Sequence, residues 1–141
     1  MSERSERAVA EHGRGFNCAQ SVLRMFCEDY GLNARDAAAL ACGLGGGARC
    51  GELCGAASGA VLAIGLRYGQ REAEDQEGKR HCAEETKRFL EAFQERCGAL
   101  RCADLLGKLY GERTPAQEQQ RGVLCGGFIR MAVELLEEMG Y

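Results

Sequence analysis

The chain has 141 residues, of which 18 are basic and 21 acidic, and its formal net charge is −3. This length predicts a single domain, residues 1–141, that buries about two thirds of the surface exposed by the unfolded chain. Because charges of both signs are interleaved, the sequence lacks the basic stripe typical of nucleic-acid-binding proteins, and we expect no nucleic-acid partner.

Helix start and stop signals divide the first part of the chain. Asn17 is a typical N-cap, and the helix that follows it is expected to place Cys18 on its apolar face and to end at Gly31. Asn33 is expected to cap a second helix, which Gly43 ends. Each of these segments repeats the same pattern of a polar cap, an apolar face and a terminating glycine.

The stretch GLGGGARCGELCGAASGAVLAIGL follows, at residues 43–66. Its beginning satisfies the dinucleotide pattern G-x-G-x-x-A, but a helical segment precedes it instead of a strand, and no P-loop lysine follows, so we expect no nucleotide site. The apolar run at 54–66 is shorter than the roughly 20 residues of a membrane-spanning helix. Gly55 and Gly59 lie four residues apart on one helix face, which predicts close packing against another backbone.

The second part of the chain also has helical patterns. Residues 71–96 predict a long amphipathic helix, and a short segment around CADLLGKLYG follows it. Thr114 and Pro115 mark the start of a last helix, which either runs through Gly122 or breaks near it. No segment alternates as a strand does, so we predict an all-α protein: a compact bundle of five or six helices with a glycine- and cysteine-rich loop.

Nine cysteines are the anomaly of the composition. The polar, helix-prone start MSERSERAVAEHGRG does not have the pattern of a signal peptide, so we expect a cytoplasmic protein. In that reducing compartment, clustered cysteines bind metal or carry out redox chemistry more often than they form structural disulfides. The two histidines, His12 and His81, lie among charged residues and are expected to be solvated.

Four segments each present one cysteine near a helix end or on an apolar face, and these are Cys18, Cys54, Cys102 and Cys125. A helical bundle can direct one ligand from each of four elements to one point, and four thiolates suit an iron–sulfur cluster or zinc. Cys54 follows Cys50 at a loop-to-helix junction, where free backbone N–H groups are expected to lower a thiol pKa.

The remaining cysteines have simpler explanations, because free cysteine also packs as a small apolar side chain. We expect this of Cys27, Cys42 and Cys82. Cys97 lies beside a second break, at Gly98, and the C-x4-C spacing that joins it to the next cysteine is not that of a zinc knuckle or a thioredoxin-type site.

Four segments of the chain form a recognisable combination: FNCAQSVL (16–23), CGAASGA (54–60), CADLLG (102–107) and the late cysteine before an apolar helix. This combination resembles a family named for its C_GCAxxG_C_C cysteine pattern, whose members are labelled redox-active. The resemblance covers nearly the whole chain. It implies that the signature cysteines are Cys18, Cys54, Cys102 and Cys125, with Gly55, Ala56 and Gly59 completing the CGAxxG motif.

A similar cysteine-bearing helical region occurs in split-Soret cytochrome c, where an iron–sulfur centre is associated with the non-haem part. This chain has no C-x-x-C-H haem attachment site, so the resemblance does not extend to covalent haem. It also holds five further cysteines, of which Cys50 and Cys97 flank signature positions and are possible additional ligands or a resolving thiol.

These observations lead to the hypothesis of a small redox protein that binds an iron–sulfur cluster through the four signature cysteines and transfers electrons to a redox partner protein of unknown identity. Two alternatives stay open. One is metal-free thiol–disulfide chemistry, with Cys54 as the attacking thiol and Cys50 or Cys102 as its resolving partner. The other is a structural zinc module. The Gly55/Gly59 face and exposed apolar positions also raise the prospect of a homodimer.

Overall fold

The computed structural model describes residues 2–141, which contain seven α-helices and no strand. The helices are α1 (Glu3–Gly13), α2 (Cys18–Leu23), α3 (Ala34–Ala41), α4 (Gly55–Tyr68), α5 (Gln76–Cys97), α6 (Cys102–Leu106) and α7 (Pro115–Glu138). The predicted all-α class is confirmed, but the expected five or six helices are too few. The count is higher because the polar start of the chain forms the 11-residue α1, capped by Ser2, in addition to the segments taken as helices from Asn17 onward.

Three helix starts lie where the sequence predicts them. The side chains of Asn17, Asn33 and Thr114 each accept a hydrogen bond from the backbone N–H three residues later, at the first turns of α2, α3 and α7. Asn17 and Thr114 also form reciprocal capping boxes, in which the side chain of the third helical residue bonds back to the cap. The start of α2 is therefore fixed locally, and its first residue is Cys18.

Several helix ends differ from the prediction. The helix after Asn17 ends at Leu23 and not at Gly31, because the N–H groups of Met25 and Phe26 bond to carbonyls three residues back and tighten the chain. A short 3-10 turn then leads to Gly31. In contrast, α7 continues through Gly122 without a break. Among residues 2–141, no helix is both long enough and apolar enough to cross a membrane.

Helix α4 lies at the centre and packs against α2, α5 and α7. Its contact with α2 is especially close at Gly59, where an added Cβ would lie 2.5 Å from the carbonyl oxygen of Ala19. At Gly55 an added Cβ would lie 3.1 Å from Cβ of Cys18. Glycine at these two positions lets the backbone of α2 lie directly on α4, which brings Cys18 next to the segment that carries Cys54.

Candidate functional site

Cysteines from four segments line one small cavity. Cys18 is the first residue of α2, Cys54 directly precedes α4, Cys102 is the first residue of α6, and Cys125 lies within α7. The cavity has a volume of about 20 Å³, and leucine and phenylalanine side chains complete much of its wall. The structure therefore gathers at one place the four cysteines to which the sequence points.

Backbone pairing between distant segments holds Cys54 beside Cys102. The N–H of Cys54 bonds to the carbonyl of Leu100 at 2.8 Å, and the N–H of Cys102 bonds to the carbonyl of Glu52 at 2.7 Å. An isolated antiparallel bridge between Leu53 and Arg101 lies between these bonds. This short ladder fixes two of the four thiols relative to each other.

The glycine-rich loop covers the same side of the site in an unusual conformation. Gly47, Ala48 and Arg49 all have positive φ, at 65°, 57° and 64°. An added Cβ at Gly47 would lie 2.5 Å from the carbonyl oxygen of Glu52 and 2.8 Å from Cβ of Cys102, so no side chain fits there. The left-handed region is costly for the two non-glycine residues, by roughly 1–2 kcal/mol each.

Burial dominates the electrostatics of Cys54. Its thiol accepts hydrogen bonds from the N–H groups of Ala56 and Ala57 in the first turn of α4, which favour a thiolate, but desolvation outweighs them and raises the pKa of Cys54 to about 12. The expectation that this helix start lowers the pKa is therefore wrong, because it does not include the cost of burial. Burial, together with the proximity of Cys125, also raises the pKa of Cys102.

The thiols of Cys18 and Cys125 form a hydrogen-bonded pair with opposite pKa shifts. Cys18 donates to the sulfur of Cys125, and this bond, with burial, raises the pKa of Cys18 well above its ordinary value. The same bond, together with the positive charges of Arg121 and Arg113 and a hydrogen bond from Arg121, lowers the pKa of Cys125 to about 7. The first proton that leaves this pair therefore leaves Cys125.

A larger opening, the vestibule, lies against this pair. It has a volume of about 210 Å³, and its walls include His12, Arg49, Arg113 and Arg121 together with Cys18 and Cys125. His12 is half-buried, its Nε2 lies 3.9 Å from Sγ of Cys18, and burial with the charge of Arg121 lowers its pKa. The expectation of a solvated His12 is wrong, whereas His81 is exposed and lies against the ring of Tyr68.

The arginines of the vestibule are absent from the residues predicted from the sequence. Arg121 precedes Cys125 by four residues, which places both on one face of α7, and this spacing is a signal in the sequence. Arg113 lies in the loop before α7 and reaches the site only through the tertiary fold, so no local pattern identifies it.

Five cysteines lie outside the four-cysteine cavity. Cys50 is exposed and donates to the carbonyl of Gly47 at 3.4 Å, and Cys97, the last residue of α5, is half-buried against the main core. Cys27 is buried in that core and Cys82 packs against it, as expected of small apolar side chains. Cys42 is exposed, and its expected packing is wrong.

The donor chemistry of the cavity suits soft metals, since four cysteine thiolates hold zinc and iron–sulfur clusters. One tetrahedral zinc ion needs four sulfurs about 2.3 Å away, and hence about 3.8 Å from one another. No group of three or more His, Cys, Asp or Glu side chains within residues 2–141 is so arranged. The four thiols line one cavity without forming a group of that kind.

The chain belongs to the family described as "Putative redox-active protein (C_GCAxxG_C_C)", whose model matches residues 16–139. The match includes all four cysteines of the cavity. It also includes the glycine-rich loop and the three arginines of the vestibule. No curated protein and no solved structure matches the chain.

Proposed function

We propose that this member of the C_GCAxxG_C_C family is a small electron-transfer protein that holds an iron–sulfur cluster. Its ligands are Cys18, Cys54, Cys102 and Cys125. The observation that carries the proposal is that these four cysteines, from four segments of the chain, line one cavity. Four cysteines are the usual ligands of [2Fe–2S] and [4Fe–4S] clusters, and such a cluster supplies a site for one-electron transfer when bound.

The closeness of the four thiols to one another favours a positively charged ligand between them. Cys54, Cys102 and Cys125 each raise the pKa of Cys18 by their proximity, so four thiolates cannot coexist here without positive charge among them. Metal ions supply that charge and deprotonate the thiols that they bind. The space also supports a cluster, because the vestibule lies against two of the same thiols and adds to the small volume of the cavity.

Residues around the sulfurs have a role in this proposal. The N–H groups of Ala56 and Ala57 donate to Cys54, and Arg121 donates to Cys125. Hydrogen bonds and positive charge at cysteine ligands stabilise the reduced, more negative state of a cluster and raise its reduction potential. The leucine and phenylalanine side chains of the cavity wall exclude water.

The decisive experiment is purification of the full chain without air, followed by an absorption spectrum and assays of iron and acid-labile sulfide. We expect coloured protein with stoichiometric iron and sulfide. Colourless protein that lacks sulfide after anaerobic reconstitution would contradict the proposal. Stoichiometric zinc in its place, with unfolding on chelation, would favour a structural zinc module.

Single cysteine-to-serine substitutions test the ligand set. We expect Cys54→Ser and Cys102→Ser to lose most of the iron and the visible absorption. The matched controls Cys50→Ser and Cys97→Ser are expected to retain both, because neither side chain lines the cavity. Equal losses in the controls would show that Cys50 or Cys97 belongs to the ligand set.

A second candidate function is thiol–disulfide exchange by Cys18 and Cys125, which the hydrogen bond between their thiols favours. The Cys125 thiolate would attack a substrate disulfide and release one thiol. Cys18, after losing its proton, would then attack Cys125 and release the second thiol, leaving a Cys18–Cys125 disulfide. These residues replace the pair expected from the sequence, because burial raises the pKa of Cys54.

Mass spectrometry of alkylated, metal-free protein tests this candidate. Reversible formation of a Cys18–Cys125 disulfide within a physiological range of potential would support it, and oxidation only at exposed cysteines such as Cys42 would contradict it.

The proposed setting is the cytoplasm, whose reducing conditions keep nine cysteines available as thiols, and the proposed partner is a redox protein. The predicted homodimer needs a surface other than Gly55 and Gly59, since α2 of the same chain covers these glycines. Among residues 2–141, the large apolar side chains that are exposed are Leu40, Val123 and Leu124.

A further inference from the structure

The side chains that line the vestibule have a net positive charge. Its walls contain three guanidiniums, of Arg49, Arg113 and Arg121, and one carboxylate, of Glu118. Glu118 pairs with Arg113. In the part of the chain that the structure describes, 2–141, no carboxylate lies within ion-pair distance of Arg49 or Arg121, so the vestibule has an excess of positive charge.

Two of these three arginines, Arg49 and Arg113, are held by backbone carbonyls before any ligand arrives. Arg49 donates to the carbonyl of Cys42 at 3.1 Å, and Arg113 donates to the carbonyls of Leu109, at 3.1 Å, and Gly111. Carbonyl oxygens fix a guanidinium without cancelling its charge. Since the ordering of long side chains is a main cost of binding, prior fixation of these groups favours affinity for an anion.

The size of the vestibule restricts the ligand. Its volume of about 210 Å³ is below the roughly 300–1,000 Å³ of pockets for drug-sized molecules. Guanidinium groups bind the paired oxygens of phosphates and carboxylates through two parallel hydrogen bonds. The walls therefore match an anion of few atoms with several oxygens.

We propose that the vestibule binds a small oxyanion of the size of phosphate or sulfate, placed between Arg49, Arg113 and Arg121 and against the thiols of Cys18 and Cys125. A molecule in this position contacts the accessible side of the thiol site. The substrate of that site would therefore be a small anion. The binding itself depends on the arginines and not on a cluster.

Titration calorimetry with inorganic sulfate and with inorganic phosphate tests the proposal, at ionic strength held constant with sodium chloride. The full chain is titrated as isolated without air and again after removal of iron. We expect saturable binding at one site in the iron-free form, where no cluster takes up space beside Cys18 and Cys125, and we expect Arg49→Gln to weaken it about tenfold, since one charge-assisted contact is lost. Arg35→Gln, which removes an exposed arginine outside the vestibule, is the matched control and is expected to bind as the parent does.

Absence of saturable heat from the iron-free chain would overturn the proposal, as would equal weakening by Arg35→Gln and Arg49→Gln, because a general charge effect would then explain the binding. The readout separates this inference from the proposed function. If the chain binds the anion but holds no cluster, the anion site is supported and the cluster is refuted. If the chain holds a cluster but binds no anion, the cluster is supported and the anion site is refuted.

Discussion

The contact between α2 and α4 at Gly59 gives the sharpest stability prediction. Substitution Gly59→Ala adds one methyl group whose Cβ would lie 2.5 Å from the carbonyl oxygen and 2.9 Å from Cα of Ala19. Both atoms belong to the backbone of a buried helix, so no side-chain rotation relieves the overlap. The helix α2 must move away from α4.

The size of the effect follows from two opposing terms. The carbonyl contact is about 0.9 Å shorter than the 3.4 Å at which ordinary contact begins, and insertion of a methylene-sized group into a packed core costs about 1–3 kcal/mol. We use the upper end, because backbone has to move. The higher helix propensity of alanine offsets about 1 kcal/mol of this loss in the free energy of unfolding. The net expectation is a loss of about 2 kcal/mol in the free energy of unfolding, or about 6–8 °C in Tm.

Urea denaturation of the parent and of two variants measures this loss. Gly65→Ala is the control on the same helix, since an added Cβ there meets nothing within 4 Å. We expect it to stabilise the protein by about 0.5–1 kcal/mol through helix propensity alone. Because Cys18 moves with α2, iron binding is expected to fall in Gly59→Ala and to be retained in Gly65→Ala. Parent-like stability of Gly59→Ala would refute the packing argument.

Three further predictions concern the surroundings of the thiol site. Ala48→Gly is expected to raise the free energy of unfolding by about 0.5–1 kcal/mol, because glycine relieves the positive φ at the cost of some chain entropy, and urea denaturation checks this. Asn17→Ala is expected to lower the free energy of unfolding by about 1 kcal/mol, also in urea, through loss of the cap of α2. In metal-free protein, alkylation of Cys125 by iodoacetamide requires the thiolate. Its lowered pKa therefore predicts a rate that is maximal above pH 7 and falls as the pH decreases through about 7, read by mass spectrometry. A midpoint near the ordinary 8.5 would contradict the stabilisation of the Cys125 thiolate by the hydrogen bond from Cys18 and by Arg121 and Arg113.

The sequence predicts those features that short segments determine. Asn17 and Thr114 cap their helices because the cap, its hydrogen bond and its returning side chain all lie within four residues. The helix after Asn17 ends early because its continuation depends on packing, which no local pattern encodes. The short α6 is determined by its surroundings in the same way, since an isolated helix of its length is unstable.

The thiol site depends on contacts between distant residues, and there prediction from the sequence is incomplete. The four cysteines can be named from their distribution and from the family pattern. However, the pairing that joins Cys54 to Leu100 crosses more than forty residues of chain and has no local signal. The sign of the pKa shift at Cys54 is likewise unpredictable from the sequence, because helix-start hydrogen bonds can be read from a pattern but the depth of burial cannot.

The two halves of the thiol site differ in accessibility. Cys54 and Cys102 lie next to each other on the short backbone ladder, and burial raises the pKa of both. Cys18 and Cys125 border the vestibule, where Arg121 stabilises negative charge on the Cys125 sulfur. Negative charge that builds up at the site is therefore stabilised best on the sulfur of Cys125. This holds for both proposed functions, electron transfer by a cluster and thiol–disulfide exchange. Loss of Arg121 should raise the pKa of Cys125 in the metal-free chain and lower the reduction potential in a cluster-bound one, so Arg121→Gln gives a measurable shift in either case.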